Sequence, residues 1–415
     1  MESRGQCRDA RPFAPMASPL PASLAEGGAM RIGVDVSQTG PGRAGCGNVA
    51  YYLTREIAEM DTGDDFILYP TFGNQFWDDR WGETFFPPQV NFSRALCLNS
   101  HTESRYFWET PPADLRYRLG RPDIIHSHNF FCPPPVDGAR LVYTLYDLSF
   151  LENPDWSTEA NREGCFRNVF RASIEADHIL AISGFSREHF LSLFPHFPKD
   201  RISVMPLASR FPDDTPLARP PEYAHLGEFL LTVGTLEPRK NYRRLVEAYS
   251  RVHRQFGGKI PPLVIAGNMG WLMEDFQAFL ASLGIAEHVI FLGFVSDVQL
   301  QWLYQNAYGV LYPSLWEGFG LPVLEALSQG AAVISSDVSS IPEILGDAGL
   351  MVDPVDTDSI AGGLADFLRS EDLRAAMRAK AKPQAERFSW RTSAQTALDC
   401  YREVAARPPR RQPNG

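Results

Sequence analysis

Residues Tyr308–Ser336 read Y-G-V-L-Y-P-S-L-W-E-G-F-G-L-P-V-L-E-A-L-S-Q-G-A-A-V-I-S-S. Two short apolar runs, Tyr308 to Tyr312 and Ala332 to Ile334, bracket a helical pattern from Val323 to Gln329, so the segment parses as strand, loop, helix, strand. That is one α/β unit. Gly318 and Gly320 let the backbone approach a ligand closely. Pro322 stands where the first helical residue is expected and loses nothing there by lacking an N–H, and Gly330 closes the helix. A helix starting directly after a glycine-rich loop aims unpaired N–H groups and a partial positive charge at the crevice beyond the strand ends. An anion belongs there. Glu317 in the loop and Glu325 in the first turn lie eight residues apart around this end. Carboxylates are poor neighbours for a bare phosphate but good acceptors for sugar and ribose hydroxyls. Phosphate together with polyol points to a nucleotide sugar.

The 415 residues suffice for two domains of ordinary size, each with its own core. Hydrophobic residues at 44% and charged ones at 21% describe a soluble globular protein, and a formal net charge of -11 argues against a general nucleic-acid binder. Cys7, Cys46, Cys97, Cys132, Cys165 and Cys400 lie far apart with no C-x-x-C pair, so neither a zinc site nor a disulfide framework is indicated, and a reducing cytoplasm fits best. No apolar run approaches a membrane span, so any membrane contact would be peripheral. Residues 1–29, rich in Ala, Pro and Arg, lack the apolar core of a signal peptide and are expected to be disordered; the folded protein, and with it a natural start, is expected at Met30. Residues 406–415 are expected to form a disordered tail.

From the amino end, Arg31 to Ser37 predicts a buried first strand, followed by the loop Gln38 to Gly47 with its four glycines. Asn48 could cap the next helix, whose Val49, Tyr52, Leu53, Ile57 and Met60 share a face. In a two-domain protein with a ligand crevice Gly45 and Gly47 could approach the diphosphate of a nucleotide sugar or a second substrate, although a flexible loop is the plainer reading. The spacing is not G-x-G-x-x-G, which argues against a dinucleotide-dependent dehydrogenase. Phe66 to Tyr69 and Val90 to Leu96 predict further strands. Arg94, Arg105, Arg116, Arg118 and Arg121 are interleaved with Tyr106, Phe107, Trp108 and Tyr117; such a stretch could seat a phosphorylated or lipid-linked acceptor, but Glu103, Glu109 and Asp114 dilute it towards an ordinary solvated surface.

Asp123 to Asn129 predicts a strand on which His126 and His128 share a face. They read as acceptor-side crevice residues or as core histidines, with no further ligand cluster to suggest a metal. Leu141 to Phe150, His178 to Ser183 and Ile202 to Ala208 complete the strands of this half, and Ser183 is expected to cap the helix reaching Phe194. Pro212, Pro216, Pro220 and Pro221 then mark an interdomain linker. The second half opens with Phe229 to Leu236 running into E-P-R-K-N, which places Arg239 and Lys240 between strand and helix, where cations would hold a diphosphate. Leu263 to Gly267, Val289 to Phe294 and Leu350 to Val352 alternate with helices around the opening unit, which describes a parallel sheet covered on both faces.

E-G-F-G-L-P-V-L-E at Glu317 to Glu325, G-A-A-V-I-S-S at Gly330 to Ser336 and P-E-I-L-G-D-A-G at Pro342 to Gly349 together resemble the donor-site signature of the family 4 retaining glycosyltransferases. V-G-T-L-E-P-R-K-N at Val233 to Asn241 resembles the same family, especially its bacterial polysaccharide (O-antigen type) mannosyltransferases. The resemblance implies a GT-B fold: α/β, two Rossmann-like domains whose parallel sheets face each other across a cleft. It implies an acceptor-side domain at 30–210, a linker at 211–226, a nucleotide-sugar domain at 227–387, and a terminal helix at 388–405 returning to the first domain. Lys240 matches the family's phosphate-binding lysine, while Thr235 stands where an arginine is common. Tyr146 stands where the pattern T-x-H-D-L carries a histidine near the donor sugar, and Asp147 matches that pattern, with a structural capping role as its alternative.

By the same resemblance Arg239, Lys240, Gly318, Phe319, Gly320 and Leu321 hold the donor, Glu325 takes the ribose, Glu317 the sugar, and Glu317, Lys240 and Asp147 carry the catalytic roles. No catalytic metal or other cofactor is expected. GDP-mannose is the expected donor and a saccharide or lipid-linked saccharide the acceptor, with no nucleic-acid partner. A phosphorylase or epimerase on this fold, or a non-catalytic nucleotide-sugar-binding subunit, are the alternatives.

Overall fold

The computed structural model describes residues 28–43, 45–73, 78–211, 215–268, 270 and 275–410. Most of the amino-terminal segment expected to be disordered, and the last five residues of the tail, lie outside them.

Among the described residues the strands fall into two parallel sheets. The first holds β1 (Arg31–Asp35), β2 (Asp65–Tyr69), β3 (Phe92–Arg94), β4 (Ile124–Ser127), β5 (Arg140–Leu145), β6 (His178–Ala181) and β7 (Ile202–Val204), in the order β3-β2-β1-β4-β5-β6-β7. The second holds β8 (Leu230–Val233), β9 (Leu263–Ala266), β10 (Val289–Gly293), β11 (Gly309–Tyr312), β12 (Val333–Ser336) and β13 (Leu350–Val352), in the order β10-β9-β8-β11-β12-β13. Helical crossovers cover both faces, which is why central strands such as β4, β8 and β11 are buried along their whole length. In each sheet the order reverses once. β1 pairs with β4 through Ile32–Ile124 and Val34–His126, and β8 pairs with β11 through Leu230–Gly309 and Leu231–Val310. The crevices beyond the carboxyl ends of those two pairs are the ligand positions of such folds.

Local chemistry shifts several expected boundaries. The run expected as one strand to Phe150 stops at Leu145, because Asp147 Oδ1 accepts from the Ser149 amide at 2.9 Å and its hydroxyl at 2.7 Å and starts the short helix Ser149–Glu152. Asn48 does not cap. The helix Gly45–Ala58 already runs through it, since Gly47 lets the first turn slide under Gln38, whose carbonyl oxygen would sit 2.2 Å from a Cβ. Pro322 is the second residue of the helix Leu321–Ser328, because Gly320, at φ 99°, takes the cap position.

The last helix, Trp390–Ala406, lies on the first domain: Trp390 stacks on Tyr52 at 5.5 Å and its indole donates to the Ser209 carbonyl at 3.0 Å. Beyond it, the expectation of a disordered tail fails for Arg407–Arg410. Arg407 pairs with Asp200 at 3.1 Å, and Arg410 donates to the carbonyls of Ala176 and Ser173 and covers the ring of Phe197 at 4.4 Å. Arginines with carbonyl acceptors and an aromatic face need no apolar core to be held. The linker is not a free tether either, because Tyr223 and Leu226 are buried and Tyr223 packs on Trp302. In the basic aromatic stretch Phe107 and Trp108 are core residues, and Arg105, Arg118 and Arg116 pair with Glu109, Asp114 and Asp123.

Candidate active site

The two sheets bring their switch points to one cavity of about 410 Å³. From the first domain it is lined by Gly45, Cys46, Tyr146 and Asp147; from the second by Gly234, Thr235, Arg239, Lys240, Glu317, Gly318, Phe319, Gly320, Leu321 and Glu325. A larger depression of about 620 Å³, walled by Pro133–Arg140, Glu175 and Asp177, lies at the opening of β5 rather than beyond the strands' carboxyl ends. The smaller cavity is the one with the chemistry.

Its floor is a buried ion cluster. Lys240 Nζ lies 2.7 Å from Glu317 Oε1 and also donates to the Tyr312 hydroxyl, which donates in turn to Glu317 Oε1 at 2.9 Å. Arg239 reaches Glu317 Oε2 at 3.1 Å, Glu237 Oε1 at 2.7 Å and the Trp316 carbonyl at 2.7 Å. Burial alone would push the Glu317 carboxyl up, but Lys240 and Arg239 hold it at about 2, so it is ionised. For Arg239, burial works against the charge while Glu317 and Glu237 more than offset it. Both cations are thus oriented before any ligand arrives.

Glu325 is buried as well, but it is the fifth residue of the helix Leu321–Ser328 rather than part of the expected first turn, because the helix starts at Leu321, two residues ahead of the apolar pattern at Val323. Arg210 Nε meets its Oε1 at 2.9 Å and the Tyr304 hydroxyl donates to Oε2 at 3.2 Å. Burial raises its proton affinity; Arg210 opposes that only in part.

The glycine loop is pressed against the first domain. A Cβ on Gly318 would lie 2.6 Å from the Tyr146 carbonyl oxygen and 2.9 Å from Asp147 Cβ, a distance only glycine accommodates. The Gly318 carbonyl accepts from Ser183 at 2.7 Å and Ser186 at 3.2 Å. Ser183 also caps the helix Gly184–Leu193, as expected, by accepting from the Ser186 amide. Across the cleft, Glu343 accepts from the Gly184 amide at 2.9 Å and the Phe185 amide at 2.6 Å, a carboxylate on a helix N-terminus.

Not every candidate reaches the cavity. Gly47 packs under Gln38 instead of lining it. His126 is a core residue bonded to the Tyr401 hydroxyl at 2.6 Å and the Thr144 hydroxyl at 2.8 Å, and burial drives its pKa well down. His128, pushed by burial to about 3, lies behind Tyr146, whose hydroxyl is 3.4 Å from Nδ1. Tyr146 itself lines the cavity and is also within 3.5 Å of the Cys46 carbonyl. Arg210, Glu237, Tyr304, Tyr312 and Glu343 escaped the sequence reading. Glu237, Tyr312 and Glu343 stand inside stretches that the sequence marks, but nothing there gives them a role, whereas Arg210 and Tyr304 enter the site from elements distant in sequence from Glu325.

Two Rossmann-like domains closing a cavity that offers paired cations, loop amides and two carboxylates define a glycosyltransferase of the GT-B architecture. Residues 44–208 match the family model "Glycosyltransferase Family 4" and residues 222–384 match "Glycosyl transferases group 1". The chain belongs to family 4 of the glycosyltransferases, and it is a hexosyltransferase. It is 35% identical to O-antigen chain mannosyltransferase B of Escherichia coli over 287 residues, 67% of this chain and 74% of that one. It is 29% identical to the serotype-specific mannosyltransferase WbdA of Escherichia coli over 68% of this chain, spanning only 37% of that longer protein. A sucrose-phosphate synthase from Thermosynechococcus elongatus superposes with a TM-score of 0.68 over 91% of this chain and 99% of that one; at 18% identity the likeness is one of fold.

Proposed function

We propose that this chain transfers mannose from GDP-mannose, with retention at the anomeric carbon, to a saccharide or lipid-linked saccharide acceptor in polysaccharide assembly. The observation that carries the reading is the cavity in which Lys240, Arg239, the Gly318–Gly320 loop, Glu317 and Glu325 meet. The mannosyltransferase names of the relatives support the choice of sugar.

In this reading the diphosphate rests on Lys240, Arg239 and the loop amides, Glu325 accepts from the ribose, and Glu317 accepts from the sugar hydroxyls. The bond between the anomeric carbon and the phosphate oxygen breaks, and its electron pair leaves with GDP. Negative charge grows on the leaving phosphate as the sugar becomes oxocarbenium-like, and cations already fixed in place stabilise it without reorganising. The acceptor oxygen bonds to the same face of the anomeric carbon and its proton passes to the departing phosphate. Asp147, beside the Gly318 loop, orients the acceptor or the sugar. The reading requires no resident metal. Among the described residues no helix is long and apolar enough to cross a membrane; we place the enzyme in the cytoplasm, in peripheral contact with the membrane that carries its acceptor.

Isothermal titration with GDP, UDP and ADP and their sugar derivatives, followed by NMR of the anomeric proton in the product, tests this. Selective binding of GDP-mannose and an α-linked product are expected. Preference for another nucleotide would overturn the donor, and an inverted product would overturn the mechanism.

A further inference from the structure

Arg210 stands at the end of the first domain, just after β7, yet its guanidinium lies in the donor cavity against a carboxylate 115 residues away. Its Nε is 2.9 Å from Glu325 Oε1 and its Nη2 3.5 Å from Oε2, while Nη1 holds Asp297 Oδ1 at 2.9 Å. The backbone carrying it is clamped to the helix that carries Glu325. The Ser209 hydroxyl meets that of Ser328 at 2.9 Å, the Phe211 carbonyl accepts from Gln329 at 3.2 Å, and the Ser209 carbonyl accepts from the Trp390 indole.

We propose that Arg210 is a positioning residue of the donor site, acting through Glu325: it holds that buried carboxylate ionised and aimed for the hydroxyls of the nucleotide. The inference rests on the donor reading above. A carboxylate 4% exposed needs a partner to stay charged, and as a neutral acid it accepts hydrogen bonds about half as strongly. The groups facing it are few. Tyr304 donates to it from the helix Asp297–Asn306, and Asp297 on the same helix pushes its proton affinity up. Across the cleft Tyr52 lies within electrostatic reach of Arg210 and is itself bonded to Arg43. Among the described residues Arg210 is the cation in contact with Glu325, so its removal leaves only the Tyr304 hydroxyl to oppose the upward push of burial.

The test is the pH dependence of GDP, UDP and ADP affinity for wild type, Arg210→Gln, Arg210→Lys and Glu325→Gln, with the carboxyl of Glu325 followed directly by NMR of 13C-glutamate-labelled protein. Arg210→Gln is expected to move the titration of Glu325 upward and to weaken nucleotide binding as the carboxyl takes its proton, levelling at about tenfold, with affinity recovering at high pH. Arg210→Lys restores much of the ionisation. In a Glu325→Gln background Arg210→Gln adds nothing further. A loss of affinity independent of pH, or an unmoved Glu325 titration in folded Arg210→Gln protein, would overturn the proposal. Were wild type to bind none of the nucleotides, the donor reading would fail, and the carboxyl titration would still decide whether Arg210 sets the state of Glu325.

Discussion

Lys240→Met removes one of the two cations on Glu317 and one of the two proposed for the diphosphate. Loss of a single preorganised group facing developing charge costs about 3 kcal/mol, so kcat is expected to fall about a hundredfold or more. Stability changes too, with a pH signature. Glu317 drops from an ordinary 4.5 to about 2 on folding, which amounts to about 3 kcal/mol favouring the folded, ionised protein. Because the folded pKa is the lower one, this contribution is complete above about pH 4.5 and disappears as the pH falls through about 2. Arg239, 3.1 Å from Glu317, is untouched by the substitution, so Lys240 accounts for roughly half, about 1.5 kcal/mol. A domain of this size should then melt about 5 °C lower at pH 7, with the gap closing towards pH 2. Product formation under saturating donor and thermal unfolding at pH 3 and pH 7 measure both. Unchanged turnover would remove Lys240 from the catalytic set, and a melting difference of equal size at both pH values would refute the coupling to Glu317.

Two further substitutions probe how the domains meet at this site. Gly318→Ala places a methyl against the Tyr146 carbonyl and Asp147, neither of which can yield as a flexible side chain would; the loop must shift, and kcat/KM is expected to fall about a hundredfold while the folded baseline by circular dichroism stays the same. Glu343→Gln withdraws the charge from the N-terminus of the helix Gly184–Leu193, costing about 1.4 kcal/mol at the interdomain contact; hydrogen exchange at the Gly184 and Phe185 amides should quicken about tenfold, and unchanged exchange would mean the carboxylate does not hold the domains together.

The donor half of the site was legible because its residues are sequence neighbours. The loop from Glu317 to Gly320, the helix carrying Glu325 and the turn with Arg239 and Lys240 each follow a strand, and a strand–loop–helix unit aims its loop at one sheet edge wherever it occurs. The acceptor half was less legible. His126 and His128 share a strand face, but whether that face looks into the cleft or the core depends on what covers it, and Tyr401 of the terminal helix covers His126. The tail's arginines looked solvated because their acceptors, the carbonyls of Ser173 and Ala176, carry no mark in the sequence.

By itself, then, the sequence determined the alternation of strands and helices, the two-domain division and the donor-loop chemistry, since each rests on periodicity or on residues a few positions apart. Only the tertiary structure decided that Arg210 meets Glu325, that Ser183 and Ser186 hold the Gly318 carbonyl, and that Glu343 caps a helix of the other domain. Those contacts join segments more than a hundred residues apart, and at such separations the path of the chain, not the identity of the residues, sets which charge finds which partner.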